Sequence, residues 1–165
     1  IEYAPKPALI LAGRCAIFRA TAQLAAHMDF ELHLASPDLE DLVSLKVLNL
    51  TTQKSMATPT ATIDLPIDAY SAVLLVFHYH EWEQAVLMQA AQQLPFSIGA
   101  LGSRRTHAMP VERLKPAGLS EAQCAQVHGP IGLVPSLRNA SLIAMSALAE
   151  ITAKLPPSQI RLSAS

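Results

Sequence analysis

Ala8-Leu9-Ile10-Leu11-Ala12-Gly13 is a short, wholly apolar run with prolines before it and a glycine at its end. Apolar residues at consecutive positions, without alternation, are typical of a strand buried on both faces of a sheet. Apolar positions at helical spacing follow from about Ala16 to Met28, and a second apolar run extends from Phe30 to Ala35. Strand, helix and strand in this order predict a βαβ unit with parallel strands.

The rest of the chain continues this alternation. The predicted strands are an edge strand over Val47–Leu50 and two apolar strands over Ser71–Phe77 and Phe96–Leu101. The polar stretch from Thr51 to Pro66 is interpreted as a loop. Long helices are predicted over Glu81–Gln93 and Asn139–Lys154, and shorter ones running toward Leu114 and beginning at Ser120.

These elements predict one α/β domain over residues 1–165. We expect a Rossmann-like, doubly wound, mainly parallel sheet of about five or six strands with helices on both faces. In such sheets ligands bind beyond the carboxyl ends of the strands. The candidate site therefore lies near the residues that end the predicted strands, which are Gly13, Ser36, His78 and Gly102.

Composition limits the classes of function. Hydrophobic residues make up 51% of the chain and charged residues only 15%, against roughly 25% charged in an average globular domain. This low charge predicts a buried interface in addition to the core, so we expect a homodimer or a docking face. The formal net charge of −1 predicts no binding to nucleic acid or to an anionic membrane surface.

The two cysteines, Cys15 and Cys124, lack both the CxxC spacing and the neighbouring ligands of a zinc site, and they are interpreted as reduced thiols. No apolar run reaches the ~18 residues that are needed to span a bilayer, and no signal peptide is recognisable. We therefore expect a cytoplasmic protein without a membrane segment.

The turn after the first predicted strand departs from a dinucleotide-binding fingerprint. The fingerprint begins Gly-x-Gly, whereas this turn reads Gly13-Arg14-Cys15, and Phe18 stands at its third glycine position. At the end of the second strand, Ser36 replaces the acidic residue that would bind a ribose hydroxyl. The pattern therefore does not favour NAD(P) in its usual orientation, and Gly13 alone is interpreted as a structural turn. Cys15, at a helix N terminus beside Arg14, is a candidate nucleophile, but a small buried apolar side chain is the preferred interpretation.

Two histidines follow the Ser71–Phe77 strand. His78 and His80 are two residues apart, and on an extended segment they would point to the same side and chelate a metal. A third ligand at matching spacing is not evident. The preferred interpretation is that they line a cleft or cap a helix, and no metal site is predicted.

Gly102-Ser103-Arg104-Arg105 is the most informative tetrapeptide of the chain. A glycine and a serine between a strand and a helix offer free backbone N–H groups, and Ser103 is the expected helix cap. Two arginines beside them add donors that bind phosphate in a bidentate manner. The pattern indicates an anion site, although a solvated basic turn has the same composition.

A loop with two glycines and a proline, Gly129-Pro130-Ile131-Gly132, follows His128. A rigid loop of this kind either brings His128 to the candidate site or only reverses the chain.

Taken in order, these motifs resemble the C-terminal Rossmann-like domain of the XdhC/CoxI family, the xanthine dehydrogenase accessory factors. Phe96 to Arg105 is similar to the family's strand and Gly-Ser-Arg-Arg turn. Val127 to Leu133 resembles its His-x-Pro-Ile-Gly-Leu loop, and Ile143 to Ile151 resembles its closing helix. The family's Gly-Ala-Gly turn is Gly13-Arg14-Cys15 in this sequence, and the family's separate N-terminal domain is expected to be absent.

The resemblance implies a binding protein rather than an enzyme, with no catalytic residues. It implies that the chain binds molybdenum cofactor (molybdopterin) or a related nucleotide and serves a xanthine dehydrogenase-like molybdoenzyme. The implied binding residues are Gly13, Arg14, Cys15, Ser36, His78, Gly102, Ser103, Arg104, Arg105 and His128. Two alternatives stay open, an NAD(P)-dependent oxidoreductase and a docking subunit whose nucleotide site is eroded.

Overall fold

A computed structural model describes residues 6–59, 63–77, 80–101, 127–128, 131–132 and 138–157. Within them, six strands form one sheet: β1 (Ala8–Gly13), β2 (Glu31–Ser36), β3 (Thr52–Ser55), β4 (Ser71–Val76), β5 (Ser97–Ala100) and β6 (Val127–His128). Their order in the sheet is β3-β2-β1-β4-β5-β6, and every neighbouring pair is parallel. The predicted fold class, a Rossmann-like parallel sheet, is confirmed.

The helices of the described residues lie on both faces of this sheet. They are α1 (Cys15–Ala26), α2 (Leu39–Ser44), α3 (Gln84–Gln93) and α4 (Ala140–Ala153), with a 3₁₀ turn at His80–Trp82. Side chains of β1 alternate between two cores: Leu9 and Leu11 pack with α1, α2 and α4, whereas Ile10 and Ala12 pack with α3. No helix in the described part of the chain is both long and apolar enough to cross a bilayer.

The central strands follow directly from their sequences. β1 and β4 are neighbours in the middle of the sheet, and all of their residues are buried. Continuous apolar sequence is what such a position requires, because helices cover both faces of a parallel sheet. The predicted strands at these two places are therefore confirmed.

The predicted edge strand over Val47–Leu50 is wrong. The edge strand β3 covers Thr52–Ser55, inside the stretch that the sequence predicted to be a loop. Its residues are polar, and none of them is fully buried. An edge strand pairs with one neighbour only, so its residues need not be apolar. The short helix α2, which precedes it, was not predicted.

The closing helix agrees with its prediction over Asn139–Lys154. Helix α4 covers Ala140–Ala153, and the Asn139 side chain caps it by accepting from the N–H groups of Ser141 and Leu142 at 3.0 and 3.3 Å. The helix predicted from Glu81 begins at Gln84, after the 3₁₀ turn. The two shorter predicted helices, toward Leu114 and from Ser120, lie outside the described residues.

Candidate functional site

The candidate site lies at the carboxyl edge of the sheet, where the connections reverse direction between β1 and β4. The chain leaves β1 toward β2 on one side, and it leaves β4 toward β5 on the other. Ligands of open α/β sheets bind in the crevice above such a reversal. The turn from Gly13 into α1 therefore forms one wall of the predicted crevice.

Cys15 starts α1 in an unusual backbone conformation. Its φ of 73° lies in the left-handed region, which favours glycine, and position 15 corresponds to the second glycine of the dinucleotide fingerprint. The thiol is free, in the sense that it forms no disulfide, and the residue is partly buried. Cys15 was interpreted as a buried apolar side chain, and the structure shows that it is only partly buried.

The N terminus of α1 is capped by a residue that is distant in sequence. The preceding residue, Arg14, makes no side-chain capping hydrogen bond, and the first turn contains no acidic residue. Instead, the N–H of Cys15 donates to Oδ2 of Asp41, a residue of α2, at 2.7 Å. A carboxylate is favourable here because the N-terminal end of a helix carries a partial positive charge. Sequence reasoning missed Asp41.

Two carboxylates of the Asp38–Asp41 segment pair with arginines of the described residues beside this turn. Arg19 Nη1 forms an ion pair with Oδ1 of Asp41, whose side chain is only 4% exposed. Arg14 Nη2 lies 3.7 Å from Oδ2 of Asp38. The other oxygen of Asp38 caps α2, accepting from the N–H groups of Glu40 and Asp41 at 3.0 and 3.3 Å.

Ser36 has a local structural contact. It is fully buried at the end of β2, and its hydroxyl oxygen accepts from the N–H of Asp38 at 3.1 Å. An acidic residue, Asp38, stands two positions later, but its carboxylate caps α2 and pairs with Arg14.

The Phe18 side chain points from α1 toward the sheet and not toward the turn. It is 0% exposed and packs in the core between this helix and the sheet. A large side chain at the third glycine position is accommodated because it points into that core.

The loop after β6 is attached to two elements near the carboxyl edge. The N–H of Ile131 donates to the carbonyl of Ala100 at the end of β5, at 3.0 Å. The N–H of Gly132 donates to Oε1 of Glu150 in α4, at 3.2 Å. Gly132 has a φ of +133°, and a Cβ there would lie 2.8 Å from Ser146 Oγ. This position therefore requires glycine.

The other predicted binding residues are described incompletely or not at all. His128 belongs to β6, where it is in register with Gly99, and only its backbone is described. His78 and the segment from Gly102 to Arg105 lie outside the described residues. Within the described ranges, no group of three or more His, Cys, Asp or Glu residues is placed to hold a metal ion. The predicted anion site at Gly102–Arg105 stays a prediction.

The sheet order, the reversal beside β1 and the helix that starts at the first turn define an α/β domain of the Rossmann type. Residues 9–151 match the XdhC Rossmann domain, and the chain belongs to this family.

Two Escherichia coli proteins are similar in sequence. The molybdenum cofactor insertion chaperone PaoD is 32% identical over 151 residues, which cover 92% of this chain and 41% of PaoD. The uncharacterized protein YqeB is 29% identical over 149 residues, which cover 88% of this chain and 27% of YqeB. The chain thus spans less than half the length of either relative.

A solved structure supports the fold. A Bacillus halodurans protein described as a xanthine dehydrogenase superposes with a TM-score of 0.72 at 19% sequence identity. The match covers 96% of this chain and 44% of that protein. At this identity the likeness concerns the fold alone.

Proposed function

We propose that the chain binds molybdenum cofactor as cargo and serves the maturation of a xanthine dehydrogenase-like molybdoenzyme. The observation that carries the proposal is the 32% identity to the insertion chaperone PaoD over 92% of this chain. Insertion itself and the enzyme that receives the cofactor also belong to the proposal, because the match covers only 41% of PaoD. We place this function in the cytoplasm, and the chain's role is binding rather than catalysis.

The proposal assigns the anionic part of the cofactor to the segment from Gly102 to Arg105. The sequence predicts that a helix starts at this segment, and backbone N–H groups with two guanidinium groups at such a place would suit a phosphate. The first turn is a poorer fit, because the N–H of Cys15 and the guanidiniums of Arg14 and Arg19 already have carboxylate partners. In the proposal His78 and His128 border the same crevice, and the turn of Gly13, Arg14 and Cys15 forms its opposite wall, with Ser36 buried behind it.

A partner surface is the second part of the proposal. Charged residues are only 15% of the chain, and this supports a buried interface with the molybdoenzyme or with a second copy of the chain. Sedimentation of the purified chain tests the homodimer: a mass twice that of the monomer at micromolar concentration supports it, and a monomer contradicts it.

Retention of the cofactor tests the first part of the proposal. We expect the chain, purified from a host that makes molybdenum cofactor, to carry a pterin with its characteristic fluorescence after oxidation. Binding to the native state must also raise the melting temperature when cofactor is added. Replacing Arg104 and Arg105 together by Ala should remove several kcal/mol of binding free energy, because each charged hydrogen bond contributes roughly 1.5–3 kcal/mol.

A second double variant, Lys46→Ala with Arg138→Ala, is the matched control. It removes the same amount of positive charge at two exposed positions outside the Gly102–Arg105 segment. We expect this control to retain the pterin. An unchanged pterin content in the Arg104/Arg105 variant would contradict the assignment to this segment, and an absence of pterin and of a thermal shift in the unaltered chain would contradict the function.

A further inference from the structure

We propose that Asp41 is a specificity-determining residue that keeps ligand phosphate out of the first turn. Its carboxylate takes the place, at the N terminus of α1, where the diphosphate of a dinucleotide lies in Rossmann domains. The chain therefore supplies its own anion at this point. The inference goes beyond the proposed function and does not depend on it.

The contacts of Asp41 are those that a bound phosphate would make. One carboxylate oxygen accepts from the N–H of Cys15 at 2.7 Å, and the other accepts from the guanidinium of Arg19. Backbone N–H and arginine are the two kinds of donor that hold phosphate at helix N termini. The Asp41 side chain is 4% exposed, so water has little access to this carboxylate.

The position of Asp41 is fixed by the packing of α2. Leu42, next to it, is buried against the sheet, and its carbonyl accepts from Nε2 of Gln53 in β3 at 2.7 Å. The N–H of Asp41 is bound to Asp38, and its carbonyl accepts from the hydroxyl of Ser44 at 2.8 Å. Moving this carboxylate out of the turn would thus disturb the helix as well as one side chain.

Charge reinforces the exclusion. Among the described residues, Arg14 and Arg19 are the cations beside the turn, and each is paired with a carboxylate of the Asp38–Asp41 segment. A phosphate that approached the turn would be repelled by these two carboxylates. The two arginines, which could otherwise attract it, are already paired. Nucleotides that depend on this turn, such as NAD(P), are therefore selected against, and the anionic part of any ligand must bind elsewhere on the sheet edge.

Titration of pyrophosphate and ADP into the ¹⁵N-labelled 165-residue chain tests the inference, with the amide signal of Cys15 as the reporter. In the unaltered chain we expect no shift of this signal at millimolar ligand. In Asp41→Ala the turn is vacated, and we expect the signal to shift with an affinity at least about tenfold higher, since charged hydrogen bonds to phosphate become available. The spectrum of the variant also reports whether it folds.

Glu40→Gln is the matched control, because Glu40 lies next to Asp41 on α2, is exposed, and loses the same charge when replaced. We expect it to behave like the unaltered chain. Asp41→Asn keeps the size of the side chain and is the second test should the Ala variant fail to fold. Because it removes the charge but not the side chain, we expect a smaller gain in ligand affinity than in Asp41→Ala. The inference is overturned if the unaltered chain binds either ligand at Cys15 as tightly as the Asp41 variants do, or if a folded Asp41 variant gains no affinity over Glu40→Gln.

Discussion

Gly13 lies opposite Val76 in the parallel pairing of β1 and β4, and the two strands leave no room for a side chain between them. A Cβ at position 13 would overlap both Cγ2 and the carbonyl oxygen of Val76. The same carbonyl accepts from the N–H of Arg14 at 3.3 Å. The glycine that ends β1 is therefore required by strand packing, whatever ligand the sheet edge binds.

Gly13→Ala should accordingly destabilise the fold. We expect the free energy of unfolding to fall by about 2 kcal/mol, the usual effect of inserting atoms into a packed core. Urea denaturation measures this loss. Adding Val76→Ala to the Gly13→Ala chain removes the overlap with the Val76 side chain but not the overlap with its carbonyl oxygen. We therefore expect the double variant to regain only part of the lost free energy of unfolding. A Gly13→Ala chain as stable as the unaltered one would show that the strands separate without cost.

Glu150 connects the closing helix to the loop after β6. It is buried, its Oε1 accepts from the N–H of Gly132, and its Oε2 pairs with Lys154 at 3.3 Å. Glu150→Ala should lower the free energy of unfolding by about 1–3 kcal/mol, because a backbone donor of the loop loses its acceptor. It should also speed the hydrogen exchange of the Gly132 amide.

Glu150→Gln is the control for this effect, because the amide keeps an acceptor oxygen at the same place. We expect the exchange rate of the Gly132 amide to stay closer to that of the unaltered chain in Glu150→Gln than in Glu150→Ala. Equal protection of this amide in both variants would mean that Glu150 does not anchor the loop.

His33 should make stability depend on pH. The residue is 5% exposed in β2, and its Nδ1 is joined to Thr52 Oγ1 by a hydrogen bond of 2.8 Å. Burial lowers the pKa of this imidazole; the nearby Glu31 raises it, Lys54 lowers it, and burial has the largest effect. Above the ordinary histidine pKa of about 6.5 the ring is neutral in both states. Below that value the unfolded chain takes up the proton first, so stability falls as the pH falls toward the folded-state pKa.

Urea denaturation at about pH 7.5 and about pH 5.5 measures this dependence, because the two conditions lie on either side of the unfolded pKa. We expect the free energy of unfolding to fall less between these two pH values in His33→Gln than in the unaltered chain. His27→Gln is the matched control, since His27 is exposed at the end of α1. The prediction fails if the two variants show the same pH dependence.

The sequence was sufficient for the parts of the fold that are determined by burial. β1 and β4 are wholly apolar because both of their faces are covered, and α4 has a recognisable cap in Asn139. The edge strand β3 was misplaced because its polar residues pair with one neighbour only, so that its sequence does not differ from that of a loop.

The first turn could be predicted only in part. The sequence shows that Cys15 and Phe18 replace glycines of the fingerprint, but not what compensates for the change. Asp41 is 26 residues from Cys15 along the chain, and only the packing of α2 brings the two together. Its role depends on a helix of six residues with two exposed apolar side chains, Leu39 and Val43, and such a helix has little periodic signal in its sequence.

Native mass spectrometry of the 165-residue chain, purified from a host that makes molybdenum cofactor, tests whether the chain binds this cofactor. We predict a second species whose added mass equals that of the cofactor and whose molybdenum content rises with its abundance. The Arg104→Ala, Arg105→Ala chain should lack this species, and the Lys46→Ala, Arg138→Ala chain should retain it. A chain that carries no added mass under these conditions, with cofactor present in the same lysate, would contradict the account.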